Sequence, residues 1–194
     1  MLSRHSSNVR ATVGSRNSNS FMAPARRAKK ISVKSSQRRL KVSESAVDMC
    51  CTFVRNECGF IISTSPFSTT NIPFYSSVKE KMGLYSFLKR AFRLSEMCLG
   101  QIIHGMLLLK RLLAFGRFSI NADNFQVIIS VVLCITGKLL SDAPLDAKSW
   151  CYIGRVLHLS DFLQMERRAL QIIQFHVLFT LEELESLAQH LYSV

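Results

Sequence analysis

The chain has 194 residues, which is room for one folded domain with a tail and too little for a two-domain enzyme. Hydrophobic residues make up 48% and charged residues 20%, as in folded globular chains, and the low counts of Gly (8) and Pro (4) disfavour all-β and collagen-like classes. The composition therefore predicts an all-α protein.

The formal net charge of +12 is concentrated at the N-terminus. Residues 1–45 hold eleven Lys and Arg against one acid, Glu44, whereas residues 46–76 carry a net charge of −1 and residues 77–194 carry +3. Any attraction to a polyanion is therefore expected of the N-terminal segment. We do not expect nucleic acid to be the partner of the folded part.

Residues 1–45 are predicted to be a disordered basic tail rich in Ser and Arg, because they show no apolar period that could offset the entropy of ordering. The cluster Arg26-Arg27-Ala28-Lys29-Lys30 also resembles a nuclear-import signal, and the acid-poor, Arg-rich start resembles a mitochondrial transit peptide. The three interpretations stay open. We expect a nuclear or cytoplasmic location, with mitochondrial targeting by the tail as the alternative.

Residues 46–76 are predicted to be a linker that leads to the folded domain, residues 77–194. They combine one short apolar piece, CTFVRNECGFII, with a polar stretch that contains Pro66 and Pro73. Proline residues at this spacing are typical of a connecting segment.

From residue 77 onward, apolar residues recur at helical spacing and predict five helices and a short final one. Their predicted ranges are Val78–Leu94, Glu96–Phe115, Ala122–Leu140, Asp146–Val156, Phe162–His176 and Leu181–Tyr192. Ser95, Asn121 and Asp146 are the predicted N-caps of the second, third and fourth, and Asp161 with Gln164 resembles a capping box for the fifth. The third helix is apolar on nearly every side, which predicts that the others surround it.

The cysteines and the apolar stretches bear on the compartment. Six Cys occur without a secretory signal pattern or a glycosylation sequon, which predicts a reducing intracellular environment. The longest apolar stretches, Leu99–Phe115 and Phe125–Ile135, are interrupted by polar residues and fall short of the roughly 20 apolar residues of a membrane helix. We expect no membrane span.

Sequence motifs of catalysis do not occur in the chain. It has no glycine-rich phosphate loop, no Gly-x-Ser-x-Gly, no His-Glu-x-x-His and no CxxC. The histidines of the helical part are never four residues apart, which disfavours a metal site. We therefore expect a binding protein that is not an enzyme and that uses no cofactor, metal or small-molecule substrate.

Two charged residues break the apolar pattern of their helices. On a helical projection, Glu166 lies roughly 80° outside the polar arc of the fifth helix, and Lys138 lies about 100° from the small and polar stripe of the third. An ion in an apolar setting costs free energy unless it is paired or hydrogen-bonded. Each is therefore either a side chain that snorkels at a helix end, half of a structural bridge, or part of a pair that meets at the surface and contacts another protein.

Over about residues 84–179 the chain resembles a cyclin box, and specifically the single-box class that includes cyclin Y and the phosphate-pathway (P- and U-type) cyclins. The resemblance is carried by SFLKRAFRLS, Lys110-Arg111-Leu112, INADNFQVIISVVLCITGKLLSD, SWCYIGRV and LQMERRALQIIQFHVLF, which are similar to the five successive helices. It implies a single five-helix bundle with the nearly all-apolar third helix at its centre.

The resemblance also implies a function and a set of contact residues. It makes Lys138 and Glu166 the counterparts of the family's kinase-contacting pair, with Ile135, Leu139, Phe175 and Val177 as the apolar residues around them. The expected partner is a cyclin-dependent protein kinase, whose αC helix would dock there. The chain would then be a regulatory subunit in kinase control, for example in the cell cycle.

The chain departs from the family at three places. Lys110 stands where the family commonly has an acid paired with the first helix, and Ser141 replaces one of the paired acids after the third, leaving Asp142. A second box is lacking. Two other functions stay open: a module that binds DNA or transcription machinery, as in transcription factor IIB, and a small mitochondrial helical scaffold.

Overall fold

The structure is a computed structural model that describes residues 44–60, 74 and 80–192. Within this part the chain forms seven α-helices and no strand, which confirms the all-α prediction. The helices are α1 (Glu44–Asn56), α2 (Leu84–Ser95), α3 (Leu99–Gly116), α4 (Phe125–Leu140), α5 (Ala147–Gly154), α6 (Leu159–Ile172) and α7 (Leu181–Tyr192). The predicted disordered tail, up to residue 43, and most of the predicted linker after residue 60 lie outside the described residues.

Helix α1 stands where the sequence analysis predicted the start of a linker, and that part of the prediction is wrong. Val47, Cys50, Phe53 and Val54 are buried, and the helix packs against α2, α3 and α7. These apolar residues recur at three- and four-residue spacing, so α1 is an amphipathic helix of 13 residues. Its two central cysteines act as small hydrophobic residues, which disguised the pattern.

Helix α4 lies at the centre of the described helices. Thirteen of its 16 residues are buried, and it packs against α2, α3, α5 and α6. Small residues allow this close packing: a Cβ on Gly105 of α3 would lie 2.8 Å from Leu133, and one on Gly154 of α5 would lie 2.4 Å from the Ser130 hydroxyl. Other helices cover α4 on nearly every side, which explains why its residues are apolar around nearly the whole circumference.

The predicted caps agree with the structure at one helix. Asp146 caps α5, where its carboxylate accepts a hydrogen bond of 2.7 Å from the Ser149 amide. The other three are wrong because the helices start elsewhere: Ser95 is the last residue of α2, Asn121 belongs to the turn before α4, and Asp161 lies inside the first turn of α6. Each boundary is shifted by three residues.

Helix α3 is the one described helix whose length and hydropathy would suffice for a membrane span. The same composition is expected of a core helix, and nine of its residues are buried against neighbouring helices. Half of the 18 residues of α3 therefore pack within the chain.

Candidate surface around the Lys138–Glu166 ion pair

Lys138 and Glu166 form an ion pair between α4 and α6. The Lys138 Nζ lies 2.5 Å from the Glu166 Oε1, and the two side chains are 41% and 11% exposed. The position of Glu166 outside the polar arc of its helix is thereby explained, since its carboxylate is buried beside a cation. Lys138 lies on the solvent side of the Glu166 carboxylate, so the pair is accessible from the Lys138 end.

The helix positions explain part of this arrangement. Lys138 lies in the last turn of α4, where the partial negative charge of the helix C-terminus favours a cation. Glu166 is in the middle of α6, because that helix begins at Leu159, and the helix dipole therefore contributes little to its placement. Its stabilisation comes mainly from Lys138.

The ion pair affects the protonation of Lys138. Burial by itself lowers the pKa of this ammonium group, but the hydrogen bond with Glu166 and the nearby acidic groups outweigh that effect and raise the pKa above its ordinary value. Lys138 is therefore a cation at any physiological pH. Its ammonium has three N–H donors, and Glu166 takes one of them.

The four apolar residues predicted around the pair differ in accessibility. Leu139 is 39% exposed and Phe175 is 66% exposed, whereas Val177 is partly buried against the core. Ile135 is only 5% exposed and packs inside the chain's own core, so it offers little surface to a partner. The side chain sits one turn before Lys138 on the face of α4 that the other helices cover.

Two exposed apolar residues on the helices that carry the pair were not among the predicted contact residues. Leu140 follows Leu139 at the end of α4, and Leu163 lies one turn before Glu166 on α6. Periodicity assigns such residues to the core, so their exposure needed the tertiary arrangement. We call Lys138, Leu139, Leu140, Leu163 and Glu166 the ion-pair surface.

Phe175 belongs to the loop of residues 173–180, which connects α6 to α7. Gln174 and Phe175 both have positive φ angles, 51° and 59°, in the left-handed region that costs side chains about 1–2 kcal/mol per residue. The Phe175 amide donates to the Leu170 carbonyl at 2.9 Å, which closes the end of α6. The loop thus turns sharply and leaves the Phe175 ring in solvent.

Arg111 of α3 holds the second half of this loop. Its Nη1 donates to the main-chain oxygens of His176 at 2.9 Å and Leu178 at 2.8 Å, and its Nη2 donates to the Glu183 carboxylate at 3.2 Å. Its guanidinium also stacks on the Phe179 ring, 3.8 Å from the centroid. One side chain therefore joins the loop, the start of α7 and α3.

Phe179 also contacts a buried histidine. The His104 ring meets the Phe179 ring edge to face at 4.9 Å, and burial lowers the pKa of His104 below its ordinary value. At its far end the loop is closed by Thr180 and Glu183, which exchange hydrogen bonds as a capping box for α7. The Thr-x-x-Glu spacing is visible in the sequence and could have located this cap.

Lys110, which stands where the resemblance would place an acid, has a partner in the structure. Its Nζ forms an ion pair of 2.8 Å with Glu57, just after α1. Ser141 ends α4, and its hydroxyl accepts from the Ala143 amide at 3.3 Å. Both side chains therefore have partners within the described part of the chain.

Other chemistry is sparse in the described part of the chain. No group of three or more His, Cys, Asp or Glu side chains there could hold a metal ion. The six cysteines are free thiols, and burial raises the pKa of Cys50, Cys58 and Cys134 to about 12, which makes those thiols poor nucleophiles. A scan against models of known protein families finds no match to this chain.

Proposed function

We propose that the chain is a cyclin-like regulatory subunit that binds and activates a cyclin-dependent protein kinase through its ion-pair surface. The observation that carries the proposal is the Lys138–Glu166 pair, which joins two helices at the surface and has exposed leucines on both of them. Helices α2–α6, packed around a buried α4, support the proposed five-helix cyclin box.

The partner contact combines apolar burial with main-chain hydrogen bonds. Leu139, Leu140 and Leu163 are exposed in the free chain and would form the apolar centre of the contact. The remaining N–H groups of Lys138 and the small exposed part of the Glu166 carboxylate would bind the polar ends of a docked helix.

The chain itself performs no chemical step in this mechanism. In an active kinase, a glutamate of the αC helix pairs with the lysine that holds the ATP phosphates. A subunit that binds only the inward position of αC raises the population of that state by its difference in affinity for the two positions. Activation thus depends on how selectively the ion-pair surface contacts the inward αC helix.

The experiment measures binding of the full chain to a panel of purified cyclin-dependent kinases. Lys138→Ala and Glu166→Ala are expected to weaken the tightest of these complexes by about tenfold or more, because each removes a central charged contact. Lys148→Ala and Glu185→Ala, which change the same residue types at exposed positions on α5 and α7, are the matched controls and should bind normally.

A charge swap separates docking from a purely structural bridge. The double variant Lys138→Glu/Glu166→Lys keeps an ion pair between α4 and α6 but presents each charge to the wrong group of the partner. We expect it to remain folded and to lose kinase binding. A swapped chain that binds every kinase as well as the original would refute the proposed contact, as would the absence of binding to any kinase in the panel.

A further inference from the structure

The 173–180 loop holds an exposed aromatic side chain on a backbone that is costly to maintain. Gln174 and Phe175 adopt left-handed φ angles although neither is glycine, and Phe175 is 66% exposed. Burial of the Phe175 ring does not compensate for this conformation. Main-chain hydrogen bonds from the Gln174 amide to the Gln171 carbonyl at 3.0 Å and from the Phe175 amide to the Leu170 carbonyl at 2.9 Å hold these two residues, and the rest of the loop is held by other contacts.

Those contacts converge on Arg111, whose side chain is only 19% exposed. It makes two hydrogen bonds to main-chain oxygens of the loop, one to the Glu183 side chain and a stacking contact with Phe179. The hydrogen bonds from Arg111 to the loop go to main-chain oxygens, so they fix the path of the backbone whatever side chains the loop carries. The planar guanidinium can make all four contacts at once, and a lysine ammonium cannot.

We propose that the ion-pair surface and Phe175 together form a docking surface, and that Arg111 is its positioning residue: it fixes the 173–180 loop and thereby holds Phe175 in the place where the kinase meets it. The inference rests on the proposed function, since it assigns Phe175 to the same contact as the ion-pair surface. Arg111 itself stays on the inner side of the loop and does not touch the partner.

Arg111→Lys is the variant that tests this role, because it keeps the charge and the aliphatic stem while losing the forked geometry. If the variant leaves the loop correctly placed in only about one tenth of the molecules, the apparent Kd for the kinase rises about tenfold. Amide hydrogen exchange of residues 174–178 in the free chain should accelerate in parallel. Arg93→Lys, at an exposed position on α2, is the matched control for both measurements.

A double variant shows whether Arg111 acts through Phe175. Phe175→Ala removes the ring that the loop presents, so Arg111→Lys should add little to its effect on the Kd. Fully additive losses would mean that Arg111 affects binding by another route, and the proposal would be wrong. Thermal unfolding of each variant establishes that the measurements are made on folded protein.

The outcomes also separate this inference from the proposed function. If a kinase binds through Lys138 and Glu166 but binds the Arg111→Lys variant equally well, the positioning role of Arg111 is refuted and the docking surface stands. If no kinase in the panel binds the unmodified chain, both proposals are refuted together. Unchanged hydrogen exchange in the 173–180 loop of the variant would by itself overturn the positioning role.

Discussion

The strength of the Lys138–Glu166 ion pair can be measured by a double-mutant cycle. Lys138→Met and Glu166→Gln each remove one charge with little change in size, and the double variant removes both. Two unit charges 4 Å apart attract by about 1 kcal/mol in water and about 4 kcal/mol at the effective dielectric constant of a protein surface, before desolvation is subtracted. The expected coupling free energy therefore depends on how far the pair is exposed to water.

Because the Lys138 side chain is 41% exposed and the Glu166 side chain 11% exposed, we expect a coupling near the upper end for exposed pairs, about 1 kcal/mol. Urea unfolding of the full chain and its three variants gives the free energies of unfolding from which the coupling is calculated. A coupling of about 3 kcal/mol or more would mean a sealed structural bridge, and the description of the pair as open to a partner would be wrong. A coupling near zero would refute the expected contribution of the pair to stability.

Two further predictions concern stability. Phe53→Ala should lower the free energy of unfolding by about 3–5 kcal/mol, because the ring is buried where α1 meets the core. Arg55→Ala, on the exposed side of α1, is the control and should change the free energy of unfolding little. A small effect of Phe53→Ala in urea unfolding would show that α1 is dispensable. Burial lowers the pKa of His104 below 6.5, so the unfolded chain binds more protons as the pH falls through this value and the folded chain loses stability. Unfolding followed from pH 7.5 to 5.5 should show this loss, and His104→Leu should remove that part of the slope; a parallel slope in the variant would contradict it.

The pattern of apolar residues was sufficient to predict the helices after residue 80 because their buried faces repeat regularly. The burial of Glu166 was predictable for the same reason, since a single charge stood among Leu163, Leu170 and Ile173 on the helical projection. Helix α1 escaped because its 13 residues contain Cys50 and Cys51 at its centre, and cysteine is a weak signal of a core position. The position of Ile135 in the core could not be separated from a docking role, since both require an apolar residue.

The loop contacts of Arg111 could not be predicted from the sequence because they join residues that are far apart in the chain. The bonds to His176 and Leu178 go to main-chain oxygens, which every residue has, so no side-chain pattern marks them. Only the Thr180–Glu183 capping box leaves a local signature there. Contacts of this kind depend on the path of the backbone, which tertiary packing decides.

The contacts that hold the docking surface in place affect how tightly the chain could bind a kinase. Lys138 and Glu166 restrain each other across two helices, and Arg111 restrains the loop that carries Phe175. Side chains and loops that are already ordered lose less conformational entropy on association, and this saving is about 0.5–1.5 kcal/mol for each immobilised side chain. The contacts of Lys138, Glu166 and Arg111 already restrict these groups in the free chain, so association should lose less conformational entropy. Variants that loosen these contacts should therefore weaken association even where they remove no atom that touches the kinase, and Arg111→Lys is the variant in which that effect is separable from the loss of a direct contact.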